Sequence, residues 1–200
     1  ARVNESERNG TQLGVVMLDV DHFRSFNEEE GHDAGDLVLK KVAEAIKETI
    51  RPYDLAARYG GEEFSIIMPG LNLDYTREVA ERIRKRIEEI DYVTATGRTR
   101  HVTASLGVSS YPLNARDPAG LLKAADTALF RAKRAGRNRV EVFDGTMMND
   151  ALTQETTTDW AAEWMTAQDK AISNALFEKV KPFMQYVGRA MSLSKAQCQI

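Results

Sequence analysis

Apolar residues recur along the chain in two rhythms, one suited to strands and one to helices. Residues 14–20, GVVMLDV, form a continuous apolar run closed by an aspartate, the pattern of a buried central strand. The following DHFRSFNEEEGHDAGD is polar and partly helical, and closes on glycine-containing loop chemistry. Across residues 33–50, Leu37, Val38, Val42, Ala45 and Ile46 take the spacing of an amphipathic helix. Two short strands, 55–59 and 64–68, flank Gly60-Gly61, a hairpin whose tight turn the glycines are expected to permit. Residues 74–90 predict a second long helix with arginine and glutamate on its wet face, and 92–96 and 102–111 predict strands. Pro118 opens a helix through Leu121, Leu122, Ala125, Leu129 and Ala132 that ends near Gly136, and 140–143 is a closing strand.

These elements make one α/β domain over residues 1–145, in which the hairpin excludes a purely parallel sheet. After Gly145 the character changes. Trp160, Trp164, Ile172, Leu176, Val180, Phe183 and Val187 recur at helical spacing behind a cap at Thr158 or Asp159, with Pro182 a break or kink. Residues 146–200 are therefore read as a helical extension.

Composition narrows the classes. The chain has 200 residues, a net charge of −3 and one cysteine, Cys198. That excludes an internal disulfide, and argues against a cysteine-rich zinc site and a surface for nucleic acid polymers. No apolar run of about 18 residues is present, so no membrane segment is expected, and ARVNESERNG lacks a signal-peptide core. A cytoplasmic setting is expected. The start at Ala1, without methionine and close to the first strand, suggests a piece of a longer protein.

The chemistry concentrates at strand ends. Asp19 and Asp21 are two apart and so share one strand face, with the Val20 carbonyl between them. If the hairpin pairs beside this strand, Asp19 and Glu62 converge at one end of the sheet, next to Glu63. Carboxylates plus a carbonyl make a hard-oxygen site suited to Mg2+ or Mn2+, and magnesium prefers to share its shell with substrate phosphates. Solvated strand-end and turn charges are the plain alternative. Lys133 and Arg137 are four apart around a glycine, placed either to hold phosphate oxygens or to balance a helix dipole.

Taken together, these stretches resemble the GGDEF family of diguanylate cyclases. The signature is Gly60-Gly61-Glu62-Glu63-Phe64; DVDHFRSFNEEEGHDAGD (19–36) and ADTALFRAKRAGRN (125–138) match the upstream and downstream motifs. The resemblance implies a central, mostly antiparallel five-stranded sheet flanked by helices, akin to nucleotidyl cyclases and polymerase palms. It implies that Asp19, Glu62 and the Val20 carbonyl hold the cation, with Glu63 in support. Asn27 and Asp36 would bind the guanine edge. The backbone at Phe23 and Arg24, with Lys133 and Arg137, would bind the triphosphate, and Gly60 and Gly61 would allow close approach. The implied reaction joins two GTP into cyclic di-GMP across a homodimer, with Glu62 or Glu63 the candidate base. Arg51-Pro52-Tyr53-Asp54 has the spacing of the family's RxxD product-inhibition site, with Arg82 a secondary contact; the alternative is a helix-end Arg–Asp pair.

Departures from the family are Arg24 for lysine, Phe130 for tyrosine and Glu28 for aspartate. The family's D-x-L-T-G-L-x-N-R segment does not precede the first strand, and Asp150-Ala151-Leu152-Thr153 is read as a coincidental echo. Two further readings stay open: an inactive receptor for GTP or cyclic di-GMP, and an interaction role for the aromatic stripe of residues 158–191. That stripe would pair chains, dock a partner or cover its own domain.

Overall fold

The computed structural model of the chain describes residues 12–94 and 96–146. Strand β1 (Leu13–Val20) is buried along its whole length because both its edges find partners. On one side β3 (Glu63–Pro69) runs antiparallel to it, from Leu13 opposite Pro69 to Asp19 opposite Glu63. On the other, β6 (Ala104–Tyr111) runs antiparallel from Leu13 opposite Tyr111 to Val20 opposite Ala104. Strand β2 (Leu55–Arg58) completes the hairpin with β3, and β7 (Val140–Val142) adds parallel to β6. The sheet order is β2-β3-β1-β6-β7, so the expected five-stranded sheet is mixed, with a single parallel pair.

Strand parity sorts the side chains into two layers. Val16, Leu18 and Val20 join Ile66, Met68 and Leu106 beneath α2 (His32–Thr49) and α3 (Leu73–Glu88). Leu13, Val15, Met17 and Ile67 face the other way, against Leu121, Ala125 and Leu129 of α4 (Pro118–Arg134). Two glycines set how closely the helices sit. A Cβ on Gly14 would lie 2.0 Å from Thr76 Oγ1 of α3; one on Gly107 would lie 2.1 Å from the Ala125 carbonyl and Leu129 nitrogen of α4. The segment after β1 folds as α1 (Phe23–Glu30), separated from α2 by Gly31 alone, at φ 89°.

Residues 91–111 depart from expectation. Gly97, at φ 80°, turns the chain so that β4 (Asp91–Val93) and β5 (Thr99–His101) form a separate two-stranded ribbon. The first expected strand is thus shorter, and β5 is an added one. It is too polar and too short to show a period. Strand β6 begins at Ala104, because the Val102 nitrogen turns to the Ile90 carbonyl and the Thr103 carbonyl accepts from Asp21. The helical extension and its aromatic stripe lie outside the described residues.

Candidate active site

Parity also decides where the carboxylates go. Asp19 shares the α4 side of β1 with Met17, and its direct cross-strand partner is Glu63. The last turn of α4 reaches this end of the sheet and brings Lys133 with it. Its Nζ lies 2.7 Å from Asp19 Oδ2, with the Asp19 side chain only 9% exposed. The hairpin therefore does pair beside β1, with Glu63 rather than Glu62 directly opposite Asp19. Glu62 is one residue further out, and its carbonyl accepts from the Val20 nitrogen at 3.2 Å.

The electrostatics are those of crowded acids. Burial raises the Asp19 carboxyl above its ordinary value, although the Lys133 hydrogen bond and charge pull it down. Burial, then the charge of Asp19, also raises Glu62, and raises Glu63 to about 7. Asp126, which sequence reasoning assigned no role, lies on α4 near the same cluster. It is exposed, and Lys133 and Asp19 are its charged neighbours. The signal available was its position seven residues before Lys133, on one helix face.

Among the described residues, no three His, Cys, Asp or Glu side chains stand as a formed metal cage. The chemistry of the donors nonetheless fits a hard divalent cation. Asp19, Glu62 and Glu63 are oxygen donors with surplus negative charge, offset at hydrogen-bonding distance by one ammonium.

Asp21, on the same side, has a different occupation. It accepts from Ser105 Oγ at 2.7 Å, Thr103 Oγ1 at 2.9 Å and the Asn138 backbone nitrogen at 3.0 Å. It ties strands to the loop after α4. Arg137 in that loop is exposed and close enough to lower the Asp19 carboxyl.

The N-terminus of α1 presents Phe23 and Arg24. The first helical bond runs from the Phe26 nitrogen to the His22 carbonyl, and no side chain caps the end. Free N–H groups at a helix start favour anions. One turn on, Asn27 Oδ1 is buried without a hydrogen-bond partner. It lies against Gly35, where a Cβ would come within 1.9 Å of it. Asp36 follows Gly35 and is exposed. Asn27 thus reaches across the α1–α2 junction to the residue before Asp36, while Asp36 itself lines the groove beside Arg51.

Gly60 and Gly61 need a correction. Neither has a positive φ, so the turn itself does not require glycine at either position. The turn closes through Tyr59 and Gly60 nitrogens on the Glu63 carbonyl, while Arg58 Nη2 donates to the Gly61 carbonyl at 2.6 Å. A Cβ at Gly60 would meet Glu63 Oε2 at 2.8 Å, whereas one at Gly61 would meet nothing within 4 Å.

Arg51 and Asp54 form a bidentate pair, with Nη2 to Oδ1 at 2.7 Å and Nε to Oδ2 at 3.1 Å. Arg51 Nη2 also donates to the Pro69 carbonyl, and its guanidinium lies 4.5 Å from the Tyr53 ring centre. The pair borders a groove of about 850 Å³ that Asp36, Lys40, Lys47 and strand β2 also line. Arg82 is exposed on α3 and makes no hydrogen bond or ion pair with Arg51 or Asp54 among the described residues.

A family model described as "Diguanylate cyclase, GGDEF domain" matches residues 1–139. Diguanylate cyclase A of Treponema denticola is 42% identical over 138 residues, 69% of this chain and 37% of that protein. The chain spans about a third of the length of the curated relatives it matches. Among solved structures, the active GGEEF domain of a Vibrio cholerae diguanylate cyclase is 31% identical at a TM-score of 0.62, covering 71% of this chain and 89% of that one. The GGDEF domain of Caulobacter crescentus DgcB, solved in complex with c-di-GMP, is 35% identical at 0.60, covering 70% and 82%.

Proposed function

The chain belongs to the GGDEF family of diguanylate cyclases, and on that premise we propose that it condenses two molecules of GTP into cyclic di-GMP. The observation that carries the reading is the meeting of Asp19 and Glu63 on one sheet face, with Lys133 drawn onto Asp19. Acidic oxygens beside a cation, at the mouth of a helix N-terminus, suit a triphosphate and its counter-ion. The 3′-hydroxyl oxygen of each GTP forms a bond to the α-phosphorus of the other. The bond from that phosphorus to pyrophosphate breaks, so two pyrophosphates leave and two hydroxyl protons are released.

Lys133, Arg137 and the N–H groups of Phe23 and Arg24 hold the triphosphate. Asn27 Oδ1, a buried acceptor without a partner, accepts from the N–H groups of the guanine edge, and Asp36 does the same from the next helix. Gly61 leaves open space for the nucleotide. Asp19, the Val20 carbonyl, Glu62 and Glu63 would hold Mg2+ or Mn2+. When bound, the ion offsets phosphate charge and lowers the pKa of the attacking hydroxyl. Glu62 and Glu63 are the candidate proton acceptors.

One domain holds one GTP, so the reaction needs a homodimer with the sites face to face. Arg51 and Asp54 are proposed as the product-inhibition site, with Arg82 reaching in only when ligand or a second copy is present. The meeting of Asp19, Glu63 and Lys133 at one sheet end supports turnover over a purely receptor role. No helix among the described residues is long and apolar enough to cross a membrane.

The test is direct. The chain is incubated with GTP and magnesium or manganese, and the nucleotides are resolved. Cyclic di-GMP that disappears in Glu62→Ala supports the proposal. Tight GTP or cyclic di-GMP binding by folded, concentrated protein without any product overturns it in favour of a receptor.

A further inference from the structure

The loop that presents Arg137 is held in a backbone conformation that most residues avoid. Gly136, Arg137 and Asn138 follow one another at φ 113°, 63° and 45°. Glycine adopts such angles freely and asparagine tolerates them, but arginine does not favour them. Such strain persists where the surroundings over-determine the backbone, and it clusters at functional sites.

Here the surroundings act through Asn138, whose backbone nitrogen and both side-chain amide atoms are engaged. Its backbone N–H donates to Asp21 Oδ2 at 3.0 Å. Its Oδ1 accepts from Arg84 Nη1 at 2.7 Å, and its Nδ2 donates to Glu88 Oε1 at 2.7 Å. Arg84, with a side chain 12% exposed, is itself fixed by Glu81 and Glu88, each at 2.8 Å. Asp21 is fixed by Ser105 and Thr103. The Arg137 nitrogen closes onto the Ala132 carbonyl at 3.0 Å. The loop is thus tied to the residue that follows β1, to α3 through the Asn138 side chain and to α4, and through Asp21 to Ser105 of β6.

The side chain of Arg137 is not tied. Among the described residues no hydrogen bond or ion pair engages its guanidinium, and it is exposed beside Asp19. A free cation on a fixed backbone is an arrangement that lowers the ordering cost of gripping an anion. Asp21 adds a second constraint. It lies two residues beyond Asp19 on the same strand side, so one covalent strand end carries an acid of the cluster and the anchor of the phosphate loop.

We propose that Asp21, Asn138, Arg84 and Glu88 form a brace that positions Arg137 for the triphosphate of GTP and sets its distance from Asp19. These are positioning residues, and none touches substrate. The inference rests on the reading of Arg137 as a phosphate-holding cation.

The test uses the full chain. Asn138→Gly keeps access to the left-handed conformation and removes both side-chain anchors; Arg84→Met keeps the apolar stem and removes the donor. KM for GTP, kcat and the rise in melting temperature produced by GTP with magnesium are measured for each. The expectation is an increase of about tenfold in KM with a smaller change in kcat, and a diminished GTP-induced rise, the scale of a weakened charge-assisted hydrogen bond. In an Arg137→Ala background, the same two substitutions should change KM no further.

Unchanged KM and GTP-induced rise in both brace variants, with Arg137→Ala clearly impaired, would overturn the brace alone. An equal effect of the brace variants with and without Arg137 would also overturn it, by showing general damage. Unchanged values in Arg137→Ala itself would instead overturn the phosphate reading on which the brace rests.

Discussion

Lys133 Nζ donates to Asp19 Oδ2 across 2.7 Å, joining the last turn of α4 to the end of β1. The contact follows from parity. Asp19 falls on the face of β1 that α4 covers, and Lys133 falls on the turn of α4 that overhangs the strand end. One ammonium therefore moderates a cluster in which Asp19, Glu62 and Glu63 are all raised above their ordinary values.

Removing that ammonium should expose the conflict. Lys133→Met leaves Asp19 buried without its charged donor, a loss of about 1–3 kcal/mol of stability for a buried acceptor deprived of its partner. Thermal unfolding of the ligand-free protein near pH 8 checks this. The same substitution should raise KM for GTP. A stability equal to that of the parent at pH 8 would contradict the account.

The Glu63 carboxyl predicts a pH dependence with a definite sign. Its folded value of about 7 lies above the ordinary 4.5, so the folded state binds a proton that the unfolded chain releases. That contribution to stability is fully present below about pH 4.5 and is lost as pH rises to about 7 and beyond. In chelator, with no nucleotide, Glu63→Gln should remove this loss. The difference in melting temperature, Glu63→Gln minus parent, should grow from pH 5 to pH 8. A difference that stays flat, or shrinks, would show that Glu63 ionises normally.

Much of this was legible in the sequence, because the strongest signals were also the functional ones. The apolar run of residues 14–20 and the strands around Gly60-Gly61 marked a central strand and a hairpin, and the three motifs named the family, while the pairing of the hairpin beside β1 stayed a condition until the ladder was seen. Three things were not legible. Register is a pairing property, so the choice of Glu63 over Glu62 as the partner of Asp19 needed the ladder. Asp21 looked like a second cluster acid, and only the fold shows its oxygens occupied by Ser105, Thr103 and Asn138. The ribbon β4–β5 was hidden for a third reason: three-residue strands carry too few positions to display a period.

Gly35 offers a test that separates function from stability. It lies inside α2, where glycine is disfavoured by about 1 kcal/mol relative to alanine. A Cβ there would come 1.9 Å from Asn27 Oδ1 and 3.0 Å from Phe23 Cζ. The amide is the end of a movable side chain, so Gly35→Ala should displace Asn27 and leave the helix intact. Melting temperature should hold or rise, while preference for GTP over ATP should fall by up to about tenfold, the worth of one hydrogen bond. Undiminished guanine preference in a folded Gly35→Ala protein would remove Asn27 from the base site.

Arg51 makes the inhibitory proposal quantitative, because its fork is already occupied. Nε and Nη2 hold Asp54, whose side chain is 1% exposed, and Nη2 reaches Pro69 as well. Asp54 thus fixes the guanidinium, leaving Nη1 and the face not stacked on Tyr53 for a ligand phosphate. Arg51→Lys keeps the charge and loses the fork, so it should weaken cyclic di-GMP binding nearly as much as Arg51→Ala. Each should lower affinity about tenfold or more, the scale of a lost charge-assisted hydrogen bond, and relieve product inhibition while initial rates persist. Titration calorimetry with cyclic di-GMP, beside progress curves with GTP, decides the matter. Parent-like affinity in Arg51→Ala would return the pair to a purely structural role, as the tie between the end of α2 and β3.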